Sequence, residues 1–247
     1  MNYKIGVIIG GPSPEHDISI LTGLQSARIL SAKHDVSIIY WTKDNKWFLL
    51  DHKLESSDFV QNSKLLTKEL HINLGKDNCF TFKRKKLDID VYVNSCHGGP
   101  GEDGSLQGLL EVMEAKFTGP NLNIAQLCMD KYAFYSLMKS NNLPVLDKFK
   151  IKSGKTPDFD GTYVLKHKFG GSSIGVEVVK NYETALKIIE TSDLYTKGAL
   201  LEKYLENADD LLIGVRNYPE FSYSEIEKPI RNSNLFSYKD KYLNNGG

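Results

Sequence analysis

Only three cysteines occur in the 247 residues, Cys79, Cys96 and Cys128, and they lack the paired spacing of metal ligands. That scarcity argues against a disulfide framework and a zinc site, and fits packed, reduced thiols. No run approaches the roughly 18 apolar residues that a membrane-spanning helix needs. Lys plus Arg and Asp plus Glu balance at 31 each, so no global field invites a nucleic acid or an anionic membrane. Internal repeats and low-complexity tracts are absent, and Met1-Asn2-Tyr3-Lys4 leads into strand-like sequence without the apolar core of a secretion signal. Two common nucleotide signatures are also missing, the P-loop with its lysine after the glycines and the GxGxxG turn. The expectation is a cytoplasmic globular protein, 40% hydrophobic, with a real core and one or two domains.

What is present is organised. Lys4–Ile9 is an apolar run ending at Gly10-Gly11, as a buried parallel strand would. An amphipathic helix is expected from about Ile18 to Leu30, with Ile18, Leu21, Leu24, Ala27 and Leu30 as its buried face. Val36–Trp41 is a second strand, and Trp47–Leu50 suggests a hairpin partner. Residues 51–86 are polar and poorly periodic, so they read as loop, with Lys83-Arg84-Lys85-Lys86 a solvated loop or edge. Val91–Ser95 resumes the strands. This order predicts an α/β domain on a parallel sheet over residues 1–123. Helical segments flank Asp130-Lys131 and stop at Asn141-Asn142-Leu143-Pro144. Strands then dominate (Phe149–Ile151, Tyr163–Lys166, Val176–Val179, Ala199–Tyr204, Leu211–Val215, Phe221–Ile226) around one helix, Tyr182–Glu190. That predicts an α+β region, with subdomains at 124–198 and 199–247.

Two glycine loops carry the chemistry. Cys96–Gly108, CHGGPGEDGSLQG, follows a buried strand and opens a helix over Leu106–Met113, the place where an open α/β sheet binds its ligand. Ser105, Glu102 and Asp103 stand where a helix N-terminus favours caps and carboxylates. A Cys96/His97 nucleophile pair is disfavoured, because adjacent strand residues point to opposite faces. The second loop, Phe169–Val176 (FGGSSIGV), offers free N–H groups and the hydroxyls of Ser172 and Ser173, which suits a phosphate lid or a plain hairpin tip. Lys166 before it supplies a point charge. Glu202, Lys203 and Leu205 at a strand end, followed by the carboxylates Glu206, Asp209 and Asp210, would suit an adenine amine, its ring and the ribose hydroxyls, although charged strand ends are commonplace. Glu15, just past the first strand, can hold a substrate ammonium; the alternative is a helix-capping acid, a role that Asp17 also suits. Lys239-Asp240-Lys241-Tyr242 reads by composition as a charged tail.

In series these segments resemble the D-alanine–D-alanine ligases of the ATP-grasp superfamily. The match runs through GGPSPEHDIS (Gly10–Ser19), HGGPGEDGSLQG (His97–Gly108), FTGPN (Phe117–Asn121), MDK (Met129–Lys131), LPV (Leu143–Val145), GGSSIGV (Gly170–Val176), LLEKYLE (Leu200–Glu206) and YKDKYL (Tyr238–Leu243). The resemblance implies a pre-ATP-grasp α/β domain followed by an ATP-grasp region. It implies that Glu15 binds the ammonium of the first D-alanine, with Ser172 and Tyr242 as partners and His97 near the carboxylate. Lys131 and Lys166 would meet the ATP phosphates, Glu202, Lys203 and Leu205 the adenine, and Lys241 the transferred phosphate. The implied reaction makes an acyl phosphate from one D-alanine and ATP, which the amine of a second D-alanine then displaces. A homodimer is also compatible with the resemblance.

Three departures qualify the match. Asp209 stands where a glutamate is typical, His167-Lys168 replaces a usual proline position, and the chain ends at Asn244-Asn245-Gly246-Gly247. The family's Mg²⁺ ligands and its carbonyl-stabilising arginine are expected beyond that point. No metal ligand is therefore assigned here, and the 247 residues alone are expected to be inactive. The alternatives are a partial chain, a nucleotide- or amino-acid-binding relative without catalysis or a subunit completed by a partner chain, and a ligase that joins D-alanine to D-lactate or another acceptor.

Overall fold

The structure is a computed structural model that describes residues 1–61, 65–74, 79–151 and 155–230. Lys241 and Tyr242 lie outside the described residues. The chain divides into two compact units, Met1–Phe134 and Tyr135–Gly247.

The first unit is built on β1 (Lys4–Gly10), whose residues after Lys4 are all buried. Ile5, Val7, Ile8 and Ile9 fill both faces of the strand, each worth roughly 1.5–3 kcal/mol when fully buried. Such a two-sided strand belongs mid-sheet. It pairs in parallel with β2 (Asp35–Trp41) on one side and with Val91–Asn94 on the other. β3 (Trp47–Asp51) turns back antiparallel on β2. Residues 51–86, expected as loop, instead hold α2 (Ser56–Gln61), β4 (Glu69–Asn73), β5 (Cys79–Phe82) and β6 (Lys85–Lys86). With Val91–Asn94 as β7, the sheet order is β6-β5-β4-β3-β2-β1-β7. Among their described side chains the short strands bury Leu70 and Phe80, too few inward residues to show a period in sequence. Their anchor is an aromatic chain, with Trp41 stacked on Trp47 at 4.6 Å, then Phe80 and Tyr92. The basic run forms the turn at Lys83 and Arg84 and the edge strand β6, where lysines discourage further pairing.

α1 (His16–Ser31) packs on β1 through much of the expected face, with Leu24 and Ala27 buried and Leu30 beside them, but that face is shifted away from Leu21. Ser19, Ile20, Gly23, Leu24 and Ala27 are buried, whereas Leu21 is 46% exposed. Gly23 explains the rotation. A Cβ there would lie 2.1 Å from Ile9 Cγ2, so the helix approaches the strand along its small residues. α3 (Ser105–Val112), α4 (Leu122–Met129) and α5 (Lys131–Ser140) follow. Asn121 caps α4, and the Asp130 carboxylate accepts from the N–H groups of Tyr132 and Ala133 to cap α5.

The second unit holds β8 (Lys148–Lys150), β9 (Tyr163–His167), β10 (Val176–Val179), α6 (Tyr182–Thr191) and β11 (Ala199–Lys203). The sheet order is β10-β9-β11-β8, antiparallel throughout. One face packs Tyr163, Leu165, Ala199 and Leu201 under Ala185 and Tyr195. The strands expected at 211–215 and 221–226 shrink to β12 (Val215–Arg216) and β13 (Ser222–Tyr223). Their apolar residues meet no covering layer among the described residues, with Leu211 and Phe221 each 64% exposed.

Candidate functional site

In the first unit the site forms at the C-terminal ends of β1 and β7, the binding edge of an open sheet. Gly10 and Gly11 turn the chain out of β1 with φ of 89° and 93°, a conformation that favours glycine. Ser13 and Glu15 follow, both buried, and Ser13 Oγ accepts the Glu15 N–H at 3.1 Å. Glu15 occupies the N-cap position of α1 without a side-chain cap hydrogen bond. Asp17, the alternative capping acid, lies in the first turn and pairs with Lys43 on the exposed rim.

The glycine loop closes over the Glu15 carboxylate. Gly98 has φ 63°, and a Cβ on it would meet Glu15 Oε2 at 2.2 Å and Ser13 Oγ at 2.8 Å. Glycine is required there twice, for its backbone angle and for the space it leaves. The Gly98 N–H donates to Glu102 Oε2 at 2.9 Å, which gives one of the paired acids its task. Asp103 accepts the Ser105 N–H, while Gly104 at φ 97° is the N-cap of α3, so the cap falls one residue earlier than Ser105. Gln107 and Asn94 both donate to the Gly101 carbonyl, at 3.0 and 2.9 Å. Gly101 itself packs on Cys96, where a Cβ would come within 2.3 Å.

His97 Nε2 lies 3.2 Å from Thr22 Oγ1, whose own hydroxyl donates to the Ile18 carbonyl. Nε2 is therefore the donor in this contact. Cys96 turns inward toward the Ile8 carbonyl, and burial pushes its thiol up to about 12. A thiol that reluctant to ionise is no nucleophile at neutral pH. Lys131, the first residue of α5, belongs to this unit.

In the second unit Glu202 is the centre. Its side chain is 4% exposed and receives Lys166 on Oε2 at 2.6 Å and Lys148 on Oε1. Burial pushes its carboxyl up, but the two ammoniums outweigh that and hold it below the ordinary glutamate value. The glycine–serine loop links β9 to β10 as a hairpin. Gly170, Ser172, Ser173 and Gly175 all have positive φ, from 50° to 128°. Lys203 and Leu205 lie exposed beyond Glu202, and Asp209 pairs with Lys228 at 2.8 Å. Among the described residues no three His, Cys, Asp or Glu side chains gather to hold a metal ion.

Each unit thus assembles its own share of the expected residues: Glu15 and His97 at one sheet edge, Lys166, Glu202 and the serine loop at another. Ser13, Ser19, Thr22, Gln107 and Lys148 were not anticipated. Ser19 joins β1 to β7 by accepting the Gly10 N–H and donating to the Ser95 carbonyl. Only the clustering of polar residues in GGPSPEHDIS hinted at that. Lys148 left no local signal, because its partner stands 54 positions away.

A buried carboxylate under a glycine cradle on one unit, and a lysine-lined antiparallel sheet with a serine loop on the other, define an ATP-grasp protein. Family models agree. Residues 4–120 match the D-ala D-ala ligase N-terminus and residues 158–247 the D-ala D-ala ligase C-terminus. The chain belongs to the D-alanine–D-alanine ligase family. It is 32% identical to the D-alanine–D-alanine ligase of Thermosipho africanus, over 98% of this chain and 70% of that protein. Identity to the Caldicellulosiruptor bescii enzyme is 30%, over 98% and 71%. Among solved structures, the Helicobacter pylori ligase aligns with a TM-score of 0.79 at 25% identity, covering 92% of this chain and 72% of that one.

Proposed function

We propose that this protein joins two D-alanines at the expense of ATP, through an acyl phosphate, to supply a cell-wall precursor. The observation that carries the reading is Glu15, a buried carboxylate at a sheet edge whose glycine cradle has no room for a side chain. Such a group suits a small ammonium, and a compact amino acid fits where a larger ligand would displace Gly98. His97 stands at the same edge to orient the substrate carboxylate. That carboxylate takes the γ-phosphoryl group of ATP, and the amine of the second D-alanine then attacks the carbonyl carbon and releases phosphate. The acyl phosphate hydrolyses readily, so water must be kept from it. Ser172, Ser173 and Tyr242 are proposed to close the site, with Lys241 on the transferred phosphate.

In the second unit Lys166 and Glu202 fit a nucleotide, as point charge and as acceptor for the adenine amine. Lys131 completes the phosphate contacts, Lys203 and Leu205 frame the base, and Asp209 is proposed for the ribose. ATP supplies the phosphoryl group. Mg²⁺ is a requirement of the family, but the described residues do not form its site, so no step here depends on it. With ATP as co-substrate the reaction is proposed for the cytoplasm.

The test is formation of D-alanyl-D-alanine by the full gene product, alongside calorimetric titration of D-alanine and of a non-hydrolysable ATP analogue. Glu15→Gln should abolish D-alanine binding and leave the nucleotide bound, and Lys166→Met should do the reverse. Loss of both ligands in either variant, or no dipeptide from the wild type, would overturn the reading.

A further inference from the structure

Glu202 is held by more charge than one contact requires. The β8-β11-β9 ladder sets Lys148 directly opposite Glu202, and Lys166, paired with Leu200, reaches it diagonally from two residues along the strand. Each carboxylate oxygen has its own ammonium. Side-chain exposures are 4% for Glu202, 16% for Lys148 and 25% for Lys166, so water contributes little to holding the charges. Lys148 is itself placed by the ring of Tyr135, 6.0 Å from its ammonium. The Tyr135 hydroxyl donates to Asp147 at 2.8 Å, and Asp147 also pairs with Lys139.

We propose that Lys148 is a positioning residue of the nucleotide site: it pins one oxygen of Glu202 and so fixes the carboxylate as an anionic acceptor for an amine-bearing purine. The inference rests on the reading that the second unit binds ATP. A carboxylate offers about four lone-pair positions, so two ammoniums still leave room for a base amine. Without Lys148, a carboxylate this buried keeps one partner and gains a strong tendency to take up a proton. The groups facing it are Lys148 and, by strand alternation, Lys150 on β8, and Lys166 on β9. Tyr135 and the Lys139–Asp147 pair stand beside them on the α5 side. The face is thus net cationic, which suits a ligand bearing a polyphosphate.

The experiment is equilibrium binding of a fluorescent, non-hydrolysable ATP analogue between pH 8 and 5.5, each variant compared with wild type at the same pH. The ratio of wild-type to Lys148→Met affinity should rise by about tenfold across that range, the equivalent of one pKa unit. Lys148→Arg should restore a flat ratio, and Lys148→Met combined with Glu202→Gln should be flat because nothing remains to titrate. A Lys148→Met ratio that is constant with pH, or a slope that persists in the double variant, overturns the proposal. Should Lys148→Met not fold, Lys148→Gln keeps a donor without charge and must show the same slope. Wild-type protein that binds no analogue overturns the ATP reading and this inference with it. Wild-type binding with a flat Lys148→Met ratio overturns this inference alone.

Discussion

Gly98 and Gly170 both sit in glycine-rich loops that follow strands, yet they do different work. A side chain at Gly98 would drive into the carboxylate of Glu15, a group that is 4% exposed and has little space to retreat. A side chain at Gly170 would meet the outer edge of the His167 imidazole at 2.0 Å, a ring that is only half-buried. The first loop is a mould around a fixed group. The second is a turn, in which Ser172 and Ser173 themselves adopt left-handed angles of 50° and 58°. Glycine in the mould preserves the position of the Glu15 carboxylate, whereas glycine in the turn lets the chain reverse. The two loops look alike in sequence because both physical needs select the same residue.

The largest effect separating them should come from Gly98→Ala. The methyl group must displace Glu15, and misplacing a binding carboxylate by about an ångström costs on the order of a hundredfold in turnover. D-Alanine affinity should fall with it, while binding of an ATP analogue stays within about threefold, since the residues proposed for ATP, Lys131 apart, lie in the other unit. Calorimetry with each ligand checks this. Equal loss of both ligands would mean that Gly98 serves the fold and not the substrate.

Gly170→Ala should act through stability more than through D-alanine. Its φ of 128° is unfavourable for any side chain, and the expected cost is about 1–2 kcal/mol. His167→Ala should recover the part due to the ring clash and leave the part due to the backbone angle. A urea-unfolding cycle on the single and double variants separates the two. Additive losses, with no coupling between positions 167 and 170, would show that the imidazole does not fill the loop.

Much of this architecture was legible in the chain. β1, β2, β7 and the β9–β10 hairpin announce themselves as apolar runs, and both glycine loops follow strands where the sequence placed them. The readings that failed share a cause. The buried face of α1 was read correctly at Leu24 and Ala27 but not at Leu21, because periodicity counts large apolar residues and overlooks Gly23 and Ser19, which bring the helix close to β1. The 51–86 segment looked structureless because β4, β5 and β6 are too short to establish a period and are held by cross-strand aromatics. Lys148 was invisible for a related reason, since it owes its role to strand register, and register is a long-range property.

The two units should also part company in acid. His16 donates from Nδ1 to the Gly11 carbonyl and accepts at Nε2 from the Tyr40 hydroxyl, which requires a neutral ring. Burial is the main force that lowers its pKa in the fold. The unfolded chain therefore takes up the proton first, so this contribution is intact above the ordinary histidine value of about 6.5 and is lost as pH falls through the folded value. Glu202, also lowered, contributes stability above the ordinary glutamate range and loses it only as pH drops through its own depressed value. The first unit should weaken near pH 6 and the second only near pH 4. Both tryptophans, Trp41 and Trp47, lie in the first unit, so fluorescence reports that unit alone while circular dichroism reports both. Urea midpoints at pH 8, 6, 5 and 4 should fall first by fluorescence, with each unit of pKa shift worth about 1.4 kcal/mol. His16→Gln should flatten the early fall. A fluorescence midpoint unchanged from pH 8 to 5, or a fall that persists in His16→Gln, would remove the imidazole from this account and leave carboxylates as the acid sensors of both units.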